Sequence, residues 1–223
     1  MNQQVSDLLD TLHLASPTLP VGGFAYSQGL EQALEEGWVH DLDSARVWIS
    51  DSLRLFLGRQ ELPLWLHCYQ AVSVGDTPLF INLNQEIIAL RETAESRLES
   101  LQMGQSLGKL FDQWTATHLI EPDQIMSFTA AHAALCVLRK IDSSAGLTSY
   151  AWAWTENQVL AAMKLVPLGQ RAGQSLLHDL KPVIAQVIKR ASDVPSEAIG
   201  SAAVGLAITA THHETQYSRL FRS

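Results

Sequence analysis

The sequence is poor in charge. Asp, Glu, Lys and Arg make up 17% of its 223 residues and hydrophobic residues 47%, against roughly 25% charged in an ordinary soluble domain. The mean hydropathy of +0.05 is high for a protein that works alone in water. Even so, there is no uninterrupted run of about 18 apolar residues, so no segment is expected to span a membrane. Met1-Asn2-Gln3-Gln4 has no basic stretch leading into an apolar core, so no secretory signal is expected. Positive charge is also short: the net charge of −8 would repel phosphates and argues against nucleic acid. Cysteine occurs only at Cys68 and Cys136. Each sits in an apolar helical run, which reads as a buried free thiol and not as a zinc site or redox pair. A reducing cytoplasm is the compartment that fits. Low charge without a membrane span points to a lasting protein–protein interface.

Alternating strand patterns with hairpin turns are missing too. Helical periodicity takes their place. Val5, Leu8, Leu9 and Leu12 form an i, i+3, i+4, i+7 stripe. A turn-rich stretch from Ser16-Pro17 to Gly23 leads to a helix over about Ser27 to Glu36. Asp43 reads as the N-cap of a helix turning Val47, Ser50, Leu53 and Leu57 inward. Another helix starts near Pro63. Thr77-Pro78 reads as a cap followed by proline at the first helical position, opening a segment to about Arg97. Leu107, Leu110, Phe111 and Trp114 mark the next helix, and Pro122 opens one ending near Lys140. A helix follows Gly146 and is closed by Pro167. Short helices holding Val183, Ile184, Val187 and Ile188, then Asp193 to about Ala210, complete the set. The fold class is all-α: a single-domain bundle of about eight to ten helices over residues 1–212, with 213–223 as a C-terminal tail.

The helix before Pro167 is the most informative. Val159, Met163 and Val166 line one face, yet Asn157, Leu160, Ala161 and Lys164 line another that is also largely apolar. A helix apolar on more than one side is packed on more than one side. Its polar groups Glu156, Asn157, Gln158 and Lys164 therefore need partners, in the fold, in a ligand or in another protein. The tail mixes Tyr217, Phe221, Arg219 and Arg222, the residue types that dominate interface hot spots. It either folds back on its own domain or orders on a partner. Gly169-Gln170 and Gly173-Gln174 leave backbone accessible beside amides that donate and accept.

Catalytic motifs fare poorly. Ala25-Tyr26-Ser27-Gln28-Gly29 is a faint nucleophile elbow without the strand it needs, and Gly22-Gly23 has no phosphate-loop continuation. His212-His213-Glu214 reads as a solvated helix end, because neighbouring histidines point apart and a metal needs three or four convergent ligands. His40-Asp41 and His178-Asp179 supply the one enzymatic alternative, a helical HD-type metal-dependent phosphohydrolase whose ion activates water. The competing reading is an Asp capping a helix beside an unrelated His.

Four segments carry a resemblance. Leu14-Ala15-Ser16-Pro17-Thr18-Leu19-Pro20-Val21-Gly22-Gly23-Phe24-Ala25-Tyr26-Ser27-Gln28-Gly29-Leu30-Glu31 is similar to the N-terminal signature of the urease accessory protein UreF family. Glu95-Ser96-Arg97 with Gln102-Met103-Gly104, Trp154 to Gln158 with Leu165 to Gln170, and the ending His213 to Ser223 resemble that family's middle helix pair, C-terminal core and tail. Residues about 115–146 carry little of it, and Glu121-Pro122-Asp123-Gln124 departs from the pattern. The resemblance implies an all-α, commonly dimeric, non-catalytic protein that joins the urease apoprotein, the UreD/UreH scaffold and the GTPase UreG while nickel is delivered to urease. It implies that Tyr217, Arg219 and Arg222, with Glu214 and Phe221, dock on UreD/UreH. Tyr26, Glu31 and Lys164 would face or support the surface toward the GTPase; Gln170 and Gln174 are further partner-binding candidates. No stable cofactor or metal site in this chain is expected; nickel would be cargo of the complex.

Overall fold

A computed structural model describes residues 3–114 and 125–223. The helix expected from Pro122 begins outside those residues; its described successor, α7, starts at Phe128 behind a Ser127 cap whose side chain accepts from the Ala130 N–H. The chain is all-α. Its helices are α1 (Gln3–Leu14), α2 (Leu30–Glu35), α3 (Leu42–Ser52), α4 (Leu62–Ser73), α5 (Thr77–Ala89), α6 (Ala94–Trp114), α7 (Phe128–Leu138), α8 (Ser143–Leu165), α9 (Gln170–Ala191) and α10 (Val204–His213). A π-helical stretch, Leu53–Glu61, joins α3 to α4 without a break.

The organising element is α8, which packs against α1, α2, α3, α4, α7 and α9. That is why its sequence is apolar on several sides: Val159, Ala161, Ala162 and Val166 are buried together with Thr155 and Gln158. Around it lies one core in which Leu30, Ile49, Leu53, Leu57, Leu62, Trp65, Leu135 and Leu176 lose all solvent contact. Cys68 and Cys136 are both buried and free.

Helix boundaries follow local capping chemistry, and several differ from the sequence expectation. Asp41, not Asp43, caps α3: its side chain accepts from Ser44 N while the Ser44 hydroxyl accepts from the Asp41 N–H. Asp43 instead pairs with Arg46 at 2.5 Å. Ser50, Leu53 and Leu57 are buried as expected, but Val47 is exposed. Asp76, not Thr77, caps α5, which places Pro78 at the second helical position. That helix ends at Ala89, because Thr93 and Ser96 exchange hydrogen bonds and start α6 afresh. At α2 the start moves to Leu30, since Gln28 and Gly29 adopt left-handed φ values of 52° and 79°. A side chain at Gly29 would also collide with Thr209 of α10. Asp142 caps α8 ahead of Gly146, and Pro167 follows its end as expected. Pro182 sits inside one long α9, Gln170–Ala191, where only short helical segments holding Val183, Ile184, Val187 and Ile188 were expected. The last helix is confined to Val204–His213, after a 3-10 turn at Ser196–Ala198.

α1 forms where its stripe marks a helix, but the stripe itself faces away from the core. Val5, Leu8, Leu9 and Leu12 all point outward, 48–58% exposed. The helix docks by its other face, through buried Leu14 and an Asp10–Arg139 ion pair of 2.5 Å.

Candidate functional site

The turn Tyr26-Ser27-Gln28-Gly29 receives the tail. Its left-handed residues aim successive N–H groups of Ser27 and Gln28 at the Ser223 carbonyl oxygen, 2.7 and 3.0 Å away. Such a concave run of N–H groups favours an oxygen acceptor. The Ser27 hydroxyl donates to the same oxygen at 2.6 Å. One turn later the Glu31 carboxylate, almost wholly buried, accepts the backbone N–H groups of Leu220 at 2.6 Å and Phe221 at 2.9 Å.

α6 closes the other side. Glu95 meets His213 Nδ1 at 2.8 Å, and Glu31 meets its Nε2 at 3.3 Å, so this imidazole bridges two carboxylates with no exposed surface. Arg219 pairs with Glu95. The Glu214 carboxylate accepts the Glu95 N–H at 3.2 Å, where a negative charge complements a helix N-terminus. Deeper along α6, Glu99 accepts from Gln28 Nε2 at 2.6 Å and from the Ser223 hydroxyl at 2.9 Å. Burial pushes the Glu99 carboxyl up, outweighing those donors and Arg91.

The polar groups of α8 find their partners here. Asn157 donates to the Tyr26 carbonyl at 3.1 Å, Gln158 to the Ser27 carbonyl at 3.2 Å, and the Trp154 indole to Gln28 at 2.6 Å. Tyr26 donates its hydroxyl to Gln102 at 2.7 Å. Burial, with Glu99 nearby, pushes that phenol up, so it remains a donor; Arg222 reaches it as well. Lys164 lies over the Phe221 ring, 5.4 Å from its centre.

Eight of the residues singled out from sequence thus sit in or against one junction: Tyr26, Glu31, Lys164, Glu214, Arg219, Phe221 and Arg222, with Tyr217 fully exposed at its edge. Gln170 and Gln174 stand apart, exposed in the first turns of α9. His213 corrects the reading of a solvated helix end, because it is the buried centre of the junction; His212 alone is surface-exposed, against Glu36. Ser27, Glu95 and Ser223 stood only inside quoted motifs, and Glu99 in none, and no role in holding the tail was read for any of the four. Their partners lie 71 to 196 residues away in sequence, and no local pattern marks such a pairing.

The two His-Asp pairs do not assemble an ion site. Asp41 is engaged in its helix cap and Asp179 in an ion pair with Arg46 at 3.2 Å. Among the described residues, no three His, Cys, Asp or Glu side chains are grouped so as to hold a metal ion. Among them, no helix is long and apolar enough to cross a membrane.

A family model described as UreF matches residues 39–181. The chain belongs to the UreF family. Full-length UreF relatives reinforce the match. The urease accessory protein UreF of Cupriavidus pinatubonensis is 44% identical over 225 residues, covering 97% of each chain. That of Methylobacillus flagellatus is 42% identical over 221 residues, again with 97% of each covered. The UreF of Cupriavidus necator is 42% identical over 99% of both chains, a span that takes in the 14–31 turn and the tail it holds.

Proposed function

We propose that this chain is a non-catalytic scaffold of urease maturation, which joins the urease apoprotein, the UreD/UreH accessory protein and the GTPase UreG in the cytoplasm while nickel is inserted. Near-full-length similarity to urease accessory proteins carries the reading. The surface supports it. The outward stripe Val5, Leu8, Leu9 and Leu12 is a contiguous apolar face of the kind that marks protein interfaces. On the tail, Tyr217 and Leu220 project into solvent while Glu31 holds the backbone behind them. That display suits the proposed contact with UreD/UreH through Tyr217, Arg219 and Arg222. Lys164, Gln170 and Gln174 are exposed on neighbouring helices and suit the contact with the GTPase. A homodimer is proposed through α10, where Val204 and Ile208 lie one turn apart at 68% and 41% exposure.

Deleting residues 213–223 is a poor test, because it removes His213 and Phe221 from the interior. The double variant Tyr217→Ala/Leu220→Asp changes only exposed side chains. It is expected to keep its thermal transition and to lose co-purification with UreD/UreH, along with urease activation and nickel content in cells. Unchanged complex formation would refute the tail assignment, and normal urease maturation in cells lacking the whole chain would refute the scaffold reading.

A further inference from the structure

His213 presents both ring nitrogens to carboxylates. Nδ1 lies 2.8 Å from Glu95 and Nε2 3.3 Å from Glu31, and the side chain has no exposed surface. A neutral imidazole carries one N–H and one bare lone pair, so only the doubly protonated ring donates from both nitrogens. The carboxylates are themselves held ionised by other donors. Glu31 accepts the Leu220 and Phe221 N–H groups, one on each oxygen. Glu95 accepts from Arg219 on the oxygen that His213 does not touch. Hydrogen bonds to the charged form favour that form.

The charges around the ring point the same way. α2 supplies Glu31 and α6 supplies Glu95, and the tail sets one guanidinium, Arg219, against these two carboxylates. With a neutral ring the group keeps an uncompensated negative charge, which is costly in a water-poor interior; a protonated ring cancels it. The other titratable groups of the junction are engaged elsewhere. Glu214 accepts the Glu95 N–H, and Glu99 is held by Gln28 and Ser223, its carboxyl pushed up by burial. His212 meets Glu36, Arg222 reaches Tyr26, and α8 contributes Lys164 over the Phe221 ring.

We propose that His213 is a proton-operated clasp for the C-terminal tail: doubly protonated, it ties α2 to α6 behind residues 219–221, and loss of one proton turns a hydrogen bond into repulsion between a lone pair and a carboxylate and frees the tail. The sign follows from linkage. In a detached tail the solvated imidazole gives up its proton at about pH 6.5. Above that pH, docking the tail takes up a proton, so attachment weakens as pH rises. The clasp would regulate the surface assigned to the tail above, and it rests on that reading only for what the tail contacts.

¹⁵N NMR of the His213 ring in the full chain at pH 7 is expected to show both nitrogens protonated. Exchange protection of the Leu220 and Phe221 amides, corrected for intrinsic exchange, should fall by up to about tenfold per pH unit above pH 6.5, while buried amides of α4 hold theirs. His213→Gln has no titrating group. It should lower tail protection about tenfold at pH 6.5 and leave it constant from there to about pH 9. A bare ring nitrogen at pH 7 with the tail still protected, parent protection that does not change with pH, or an undiminished pH dependence in His213→Gln would each overturn the proposal. Should His213→Gln not fold, the ring nitrogens and the parent's protection profile decide alone. If protection responds to pH as expected while partner binding does not, the clasp stands and the contact assigned to the tail falls.

Discussion

Glu31 holds Phe221 by its backbone: the carboxylate at the start of α2 accepts the Phe221 N–H at 2.9 Å, and that of Leu220 at 2.6 Å, from partners 190 and 189 positions away in sequence. Both oxygens are engaged, and His213 contacts one of them. Charge-assisted bonds of this kind are about twice as strong as neutral ones. Glu31→Ala is expected to free the tail, destabilising the fold by about 2–4 kcal/mol and raising amide hydrogen exchange over residues 215–223 at least tenfold. Protection unchanged in that segment would show that Glu31 is not its anchor.

The Glu61–Arg91 pair sets a second expectation. Burial pushes the Glu61 carboxyl up, but Arg91 and the Thr129 and Tyr150 hydroxyls outweigh it and hold the group below its ordinary value. Glu61→Leu strands a buried guanidinium, and removing one member of a buried pair costs about 3–5 kcal/mol. The double variant Glu61→Leu/Arg91→Met should recover most of that loss in urea unfolding. Strict additivity of the two single effects would argue against the coupling.

His132 makes the fold acid-sensitive in a defined window. Burial lowers its imidazole to about 3, and Nδ1 accepts the Trp65 indole N–H at 3.0 Å. The folded state thus refuses a proton that the unfolded chain takes up near pH 6.5. Its contribution is complete above pH 6.5 and is lost as pH falls toward 3. Between pH 6.5 and 4, His132→Gln is expected to flatten the pH dependence of unfolding by up to about 1.4 kcal/mol per pH unit. Parallel slopes in the two proteins would exclude His132 as the cause.

Close backbone packing singles out Gly104. A methyl group there would overlap the Met126 carbonyl and the backbone of Ser127 and Phe128, where α6 crosses the entry to α7. Gly104→Ala should destabilise by about 1–3 kcal/mol through overpacking. Gly169→Ala meets nothing within 4 Å at a permitted φ of −69° and should fall within about 0.5 kcal/mol of the parent. Equal melting temperatures for the two variants would refute the packing account.

The fold class was legible because helix periodicity, and stops such as Pro167, act over a few residues. The multiple burial of α8 was legible for the same reason, as was the need for Asn157 and Gln158 to find partners. Caps were placed less well, because Asp41 and Asp43 both offer a carboxylate and only the Ser44 hydroxyl decides between them. Periodicity located α1 but not its packing: an apolar stripe marks a face that seeks cover, but does not say whether this chain or another supplies it. The junction around His213 was least legible. Glu31, Glu95 and Glu99 look like ordinary surface carboxylates until the fold brings them to their partners.

The contact between Ser27 and Ser223 also sets an order of events during synthesis. At ribosomal speeds of about 5–20 residues per second, roughly 10 to 40 s separate the emergence of these two residues. Until then a nascent chain carries the Ser27 and Gln28 N–H groups and the Glu31 carboxylate with their eventual acceptor and donors still unmade. The junction is therefore among the last pieces of the molecule to form, and a polypeptide stalled before residue 213 should retain most of its helices while this one corner stays open.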